Sequence, residues 1–428
     1  MPDVRTSPRD PWTWIPTLYL AEGLPYVVVM TVSVIMYKGF GVSNTDIALY
    51  TSWLYLPWVV KPFWSPVVDL LGTRRRWIWA MQLAIGGGLA GVAVTVPLPH
   101  VLQGTLAFFW LLAFNSATHD IAADGFYMLG TTEAQQAFFV GVRSMFYRVA
   151  TIAGQGLLVM LAGTIQSRTG SPRVAWSVAM GALAILFLGF GLWHRFVLPR
   201  PPADQPGEAR QIPHFVREFV GTFGSFFGRP RIGVVLLFLL LYRLGEAQLV
   251  KMVAPFLLDP HAQGGLGLST TQVGFVYGTV GIVALTLGGI LGGWVVARHG
   301  LKAWLWPMLL AIHLPDAVFI YLAYVQPASL GLVQLCVAIE QFGYGFGFTA
   351  YLLYMIYIAR GRHQTAHYAM CTGFMALGMM IPGMWSCWLQ DHVGYRHFFV
   401  WVILATVPSF IVTLWIQLDA GFGKRTTA

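Results

Sequence analysis

An all-α polytopic membrane protein with twelve transmembrane helices is the fold that three observations predict. Of 428 residues, 57% are hydrophobic and only 10% are charged, where a soluble domain carries about 25% charged residues. The apolar residues gather in twelve stretches, each at or beyond the roughly 20 residues that cross a hydrocarbon core. The basic residues then sort themselves between alternate loops.

In order, the stretches are 14–37, 47–68, 77–97, 101–127, 136–165 and 174–197, then 232–258, 270–297, 302–324, 329–358, 364–389 and 396–418. The first follows a polar segment with no cleavable-signal pattern, so it is expected to be retained as a helix. The second holds Lys61. The fourth holds Asp120 and Asp124, and the fifth, after a polar turn at 130–136, holds Arg143 and Arg148. The seventh carries Arg243, Glu246 and Lys251, the ninth Asp316, and the tenth Glu340. Ionisable groups at membrane depth are costly and mark function by default.

With both termini on one side, seventeen Lys and Arg fall in loops on that side, four on the other, and five within spans. This bias places both termini in the cytoplasm. The net charge of +9 is thereby a record of topology, and no nucleic-acid partner is expected. Cys336, Cys371 and Cys387 lie in apolar runs without metal-ligand spacing and are expected to be inert. Most of the 17 Trp and 17 Tyr, such as Trp12, Trp14, Trp304 and Trp306, suit interfacial belts.

The longest loop contains PRPPADQPGEARQIP midway along the chain and reads as a linker. The expected organisation is an N-terminal six-helix bundle at 1–198, a cytoplasmic linker at 199–230 and a C-terminal six-helix bundle at 231–428. The halves repeat: Gly41-Val-Ser-Asn-Thr-Asp-Ile-Ala48 matches Gly267-Leu-Ser-Thr-Thr-Gln-Val-Gly274, each between its half's first two spans. Glu22 in span one matches Glu246 in span seven. Six spans per half make the repeats parallel.

Asp69-Leu-Leu-Gly-Thr-Arg-Arg-Arg76, between spans two and three, resembles the corresponding loop of the major facilitator superfamily. Three further stretches resemble its AmpG-type muropeptide permeases and the wider peptide/acetyl-CoA transporter group. They are Glu22-Gly-Leu-Pro25, Lys61-Pro-Phe-Trp-Ser-Pro-Val-Val-Asp69, and His119-Asp-Ile-Ala-Ala-Asp124 followed by Tyr147-Arg148. The second half matches as general architecture. The sequence departs from the family after Asp124, where Phe126-Tyr-Met-Leu-Gly130 carries no charge.

The resemblance implies that the first and fourth spans of each half line a central cavity. Each of those four spans carries an acid: Glu22, Asp120 with Asp124, Glu246, and Glu340. Asp120 and Asp124 share one helix face. An Asp whose Arg partner moves away binds and releases a proton. Proton coupling is therefore assigned to Asp124, Asp120, Glu22 and the gating Arg148, the alternative being a structural ion pair between spans four and five. Substrate contact falls to Glu246, Glu340 and Arg143, with Tyr26, Tyr127, Tyr351 and Tyr354 placed to stack on a sugar ring. Glu22 and Glu246 could equally brace the bundle through Arg243 or Lys251. Asp69 with Arg74 and Arg75 reads as a conformational latch at a helix end, Lys61 as a snorkelling side chain, and Asp316 as a local brace. Gly343, Gly345 and Gly347 let helices pack closely or let span ten bend.

No P-loop, HExxH, CxxC or GxSxG element is present, which argues against an enzyme or an ATP-driven pump. The resemblance implies a symporter importing N-acetylglucosaminyl-anhydromuramyl peptides across the bacterial inner membrane, with the proton as coupling ion and no cofactor. A siderophore or acetyl-CoA carrier, or a non-transporting scaffold or sensor, is the alternative. A monomer in contact with lipid and a small glycopeptide is expected, since one chain holds both halves.

Overall fold

The computed structural model describes residues 10–131, 133–202, 204–205, 212–360 and 364–424. Among the described residues every regular element is a helix, and twelve spans form two halves of six. The first half comprises Pro11–Gly39, Asn44–Trp53 continued by Leu56–Leu71, Arg74–Thr95, Val101–Gly130, then Glu133–Thr151 continued to Thr169, and Pro172–Val197. The second comprises Ile232–Leu258, Thr270–His299, Leu301–Val325 and Leu330–Ala359. A run from Gln364–Leu404 then divides at Gly394 into spans eleven and twelve, the latter completed by Val407–Thr413. Gly394 has φ 72° and ψ 165°, a conformation open in practice only to glycine.

Several spans begin earlier than the apolar pattern predicts, because polar caps extend them. Ser43 accepts from the Asp46 N–H, Thr73 from Arg76 and Ser171 from Val174. Ser269 forms a full capping box with Gln272. Span four likewise continues to Gly130 and span five resumes at Glu133, so the expected turn at 130–136 shrinks to two residues.

Among the described residues, four spans also depart from regular α-helix through π or 3-10 turns, and of these only span one is among the four expected to line the cavity. Five- to seven-residue π-helical turns interrupt span one at Val28–Val32 and span five at Ile152–Leu158, and a third interrupts span eight at Val276–Gly281. Such turns favour functional positions. Span nine breaks into a 3-10 turn at Leu314–Asp316, where Pro315 lacks the N–H that an α-helix would use.

The two halves meet at the end of the bundle away from the termini. There span two packs on span eleven and span five on span eight, the π turns of the latter pair touching. The approach needs glycine: a Cβ on Gly278 would stand 2.1 Å from the Gln155 carbonyl oxygen. One buried apolar cluster runs across this seam, including Val29, Ile47 and Val159 with Met252, Val276 and Cys387. In span ten, Cβ atoms on Gly343, Gly345 and Gly347 would stand 1.9–2.4 Å from carbonyls of spans eight and nine. The Gly-aromatic run thus packs span ten tightly, and the helix continues through it without a break.

Inside 199–230 the chain forms a helix, Ile212–Phe227, which the proline-rich composition of the preceding residues obscured. Its end bridges both halves. Phe223 stacks on Phe63 of span two at 5.4 Å, and Phe226 stacks on Phe374 of span eleven at 6.3 Å.

Candidate functional site

Span four turns one face towards spans one, two and five, and this collects the first-half charges. Asp120 accepts a hydrogen bond from the Trp58 indole at 3.0 Å and faces the Lys61 ammonium at 3.6 Å. One turn on, Asp124 accepts from the Arg143 guanidinium at 2.7 Å and from the Tyr19 hydroxyl at 3.5 Å. The guanidinium lies over the rings of Tyr19 and Tyr127 at 4.5 and 5.0 Å, a cation–π cradle that fixes its plane. Glu22 reaches the same group from span one, within electrostatic range of Asp120, Asp124, Lys61 and Arg143. Its Oε2 is buried without a hydrogen-bond partner. The Asp124 side chain is 45% exposed and Arg143 28%, so this pair lies open while Glu22 beside it is buried.

The second half builds its own cluster. Glu246 of span seven, Asp316 of span nine and Glu340 of span ten converge, all buried. Arg243 stands 3.8 Å from Glu246 and donates to the Tyr344 hydroxyl at 2.7 Å. Gln341 donates to both oxygens of Glu340 at 3.0 and 3.3 Å.

Several sequence expectations need correction. The Arg expected to hold Asp124 was Arg148, but the partner is Arg143. Five residues turn a helix by about 140°, so both cannot face one carboxylate. Arg148 instead sits within range of Tyr344 and Tyr147. Lys61 does not simply snorkel; it faces Asp120. Asp316 braces nothing: neither of its buried oxygens has a hydrogen-bond partner. Tyr351 and Tyr354 do not face a cavity. Tyr351 donates to the Leu239 carbonyl at 2.5 Å, and Tyr354 packs on Phe238 at 4.4 Å inside the second-half core. Tyr26 meets Trp58 edge-on at 5.2 Å and stays half-buried, and Tyr127 lies under Arg143.

The expected latch also changes partner. The Asp69 side chain lies outside the described residues. The N–H groups of Arg74 and Arg75 donate to the two oxygens of Asp204 at 2.7 and 3.0 Å, a carboxylate seated on the start of span three. Arg75 also donates through Nε to the Leu198 carbonyl at 3.2 Å and through Nη2 to that of Arg195. These contacts tie span three to the end of span six and the linker within the first half.

Among the described residues, charged contacts join the halves at the opposite end, and the sequence reading missed them. Lys38 at the end of span one pairs with Asp259 at the end of span seven, 2.5 Å apart and largely buried. Lys38 also donates to Asn44 at 2.7 Å, and Tyr395 donates to Asp259 at 2.6 Å. Asn44 donates to Gln390 at 3.2 Å, and Thr45 to Asp391. Deeper in the seam, Lys251 donates to Thr51 of span two at 3.0 Å. The repeat between residues 41–48 and 267–274 had marked this loop, without indicating its partner across the seam.

Two six-helix halves with acid clusters between their spans, joined by a polar seam at one end, have the build of a polytopic membrane transporter. The model of the Major Facilitator Superfamily matches residues 17–381, and the chain belongs to that superfamily. Among curated proteins it is 23% identical over 405 residues to the anhydromuropeptide permease of Escherichia coli K12, covering 93% of this chain and 78% of that one. It is 24% identical over 413 residues to a Rickettsia conorii protein named AmpG 4, covering 94% and 95%. Among solved structures, a D-xylose-proton symporter superposes with TM-score 0.70 at 14% identity, covering 97% of this chain and 99% of that one. The chain is a multi-pass membrane transporter of this superfamily, AmpG-like in sequence.

Proposed function

We propose that the chain is a proton-coupled symporter that imports N-acetylglucosaminyl-anhydromuramyl peptides across the bacterial inner membrane. The substrate class rests on similarity to the anhydromuropeptide permease. The coupling rests on one observation: three acids, Glu22, Asp120 and Asp124, share a site with two bases, Lys61 and Arg143. A carboxylate in such a site keeps its charge while its cation stays, and takes a proton when the cation is drawn away. A glycopeptide carboxylate that competes for Arg143 would free Asp124 in this way, so substrate and proton load together.

In this reading both termini are cytoplasmic and the seam at Lys38–Asp259 closes the periplasmic side. The exposure of Asp124 and Arg143 then favours an opening towards the cytoplasm. Residues 1–198 and 231–428 rock as two bodies about the linker at 199–230, and a single chain suffices.

The test is uptake of a labelled anhydro-muropeptide into proteoliposomes, with and without an inward proton gradient. Wild type should accumulate it only with the gradient, and Asp124→Asn should lose gradient dependence. Uptake that stays gradient-dependent in Asp124→Asn moves the coupling away from this residue. No uptake by folded wild type removes the muropeptide assignment and turns the search to siderophores and acetyl-CoA.

A further inference from the structure

The second-half acids raise a question of charge that the proposed transport cycle leaves unanswered. One carboxylate oxygen from each of Glu246, Asp316 and Glu340 lies within 4.8 Å of the other two. The residues are 0%, 1% and 2% exposed. Arg243 stands 3.8 Å from Glu246 on the same span, and Tyr277 of span eight and Tyr344 of span ten are within electrostatic range of Glu246. Arg243 is shared, bonding the Tyr344 hydroxyl and lying over the rings of Tyr344 and Phe348. With all three carboxylates ionised, one guanidinium would leave an excess of two negative charges in a buried site, which is strongly unfavourable unless protons or a metal cation balance it.

Asp316 is the independent sign of what enters. It comes from span nine, outside the four spans expected to line the cavity, and the Pro315 break places it in a 3-10 turn. Both of its oxygens are buried without a donor, and it aims one of them into the Glu246–Glu340 pair. An interrupted helix at mid-membrane is a recurrent way to build an ion site. Hard cations sit about 2.4 Å from carboxylate oxygens, so a central ion accommodates ligand oxygens up to about 4.8 Å apart. The oxygen-only donor set suits a hard metal ion rather than a soft one.

We infer that Glu246, Asp316 and Glu340 form a binding site for a dehydrated hard metal cation of the Na⁺ or Ca²⁺ class. The ion clamps spans seven, nine and ten together and is distinct from the Asp120–Asp124 cluster. This deepens the transport reading, but binding is measured without substrate or gradient, so the two ideas fail separately.

The purified protein, stripped with chelator, is unfolded thermally in NaCl, in CaCl₂ and in choline chloride at matched ionic strength. Binding of ²²Na⁺ and ⁴⁵Ca²⁺ is measured alongside. One metal should raise the unfolding midpoint saturably over choline, which also tells monovalent from divalent. Asp316→Asn and Glu340→Gln should each weaken half-saturation at least tenfold, while Asp120→Asn leaves it unchanged. Without metal, Asp316→Asn should unfold at a higher temperature than wild type, because one repelling charge is gone. Absence of any metal effect on wild type overturns the site, as does an effect that both variants keep or a response to pH alone. Where Asp316→Asn does not fold, Glu340→Gln and isotope binding decide.

Discussion

Asp259→Asn offers the sharpest test of the seam. In the closed arrangement the Lys38 ammonium has two strong acceptors, Asp259 at 2.5 Å and Asn44 at 2.7 Å. The substitution keeps the shape and the Tyr395 hydrogen bond but strands most of the ammonium charge. A hydrogen bond to a charged group contributes roughly 1.5–3 kcal/mol, and stripping one partner from a fully buried pair costs about 3–5 kcal/mol. Lys38 is 15% exposed and retains Asn44, so about 2 kcal/mol is the reasonable figure. That is roughly a 30-fold fall in the ratio of seam-closed to seam-open molecules. Spin labels at Ser167 and Gln263, exposed on either side of the seam, would report the two states as short and long distances. Lys38→Met should shift the ratio in the same direction by less. The double variant should sit above Asp259→Asn, since no charge is left stranded. A ratio unchanged within twofold in both single variants would refute the argument that this pair holds the halves together.

Other outcomes follow from the same geometry. Arg143→Ala should abolish gradient-dependent uptake while Arg148→Ala retains it, measured in the proteoliposome assay; equal losses would mean that direct pairing with Asp124 is not the cause. Gly278→Ala puts a Cβ 2.1 Å from the Gln155 carbonyl oxygen and should move the same spin labels towards the long distance. Tyr351→Phe leaves a buried Leu239 carbonyl without its donor and should cost about 1–3 kcal/mol, lowering the thermal midpoint with no change in KM for substrate. A raised KM would return Tyr351 to the binding surface.

How much could be read from the sequence depends on how local each feature is. Hydrophobic runs and loop charges are properties of short segments, so the twelve spans and their pairing into repeats were visible. Span ends were blurred because Ser43 and Thr73 cap helices whose first turns are polar. The acids could be placed on their spans, and the i, i+4 relation between Asp120 and Asp124 holds in space. Their partners could not, because helix rotation is not encoded in apolar composition. Lipid-facing and core-facing sides are both apolar, so nothing distinguished the face of Arg143 from that of Arg148. The same ambiguity hid Tyr351 in the core. The Lys38–Asp259 pair spans more than two hundred residues of sequence and joins two span ends, each unremarkable alone.

The two acid clusters make opposite demands on the transport cycle. Each half contributes three carboxylates, and Glu22 and Glu246 hold matching places in the repeat. The first cluster has Lys61 and Arg143 to balance it, with Asp124 and Arg143 open to solvent. The second has only Arg243 among the described residues within ion-pair distance, and its acids are sealed. A group that must exchange protons every cycle needs a route to water, and the first cluster has one. A group that must hold one charge state while the halves rock needs the reverse, and the second is built that way. Asp124→Asn should therefore change coupling while leaving thermal stability nearly unchanged. Asp316→Asn should change cation-dependent stability first, and coupling only through it. Finding the two variants interchangeable in both assays would dissolve the division of labour between the halves.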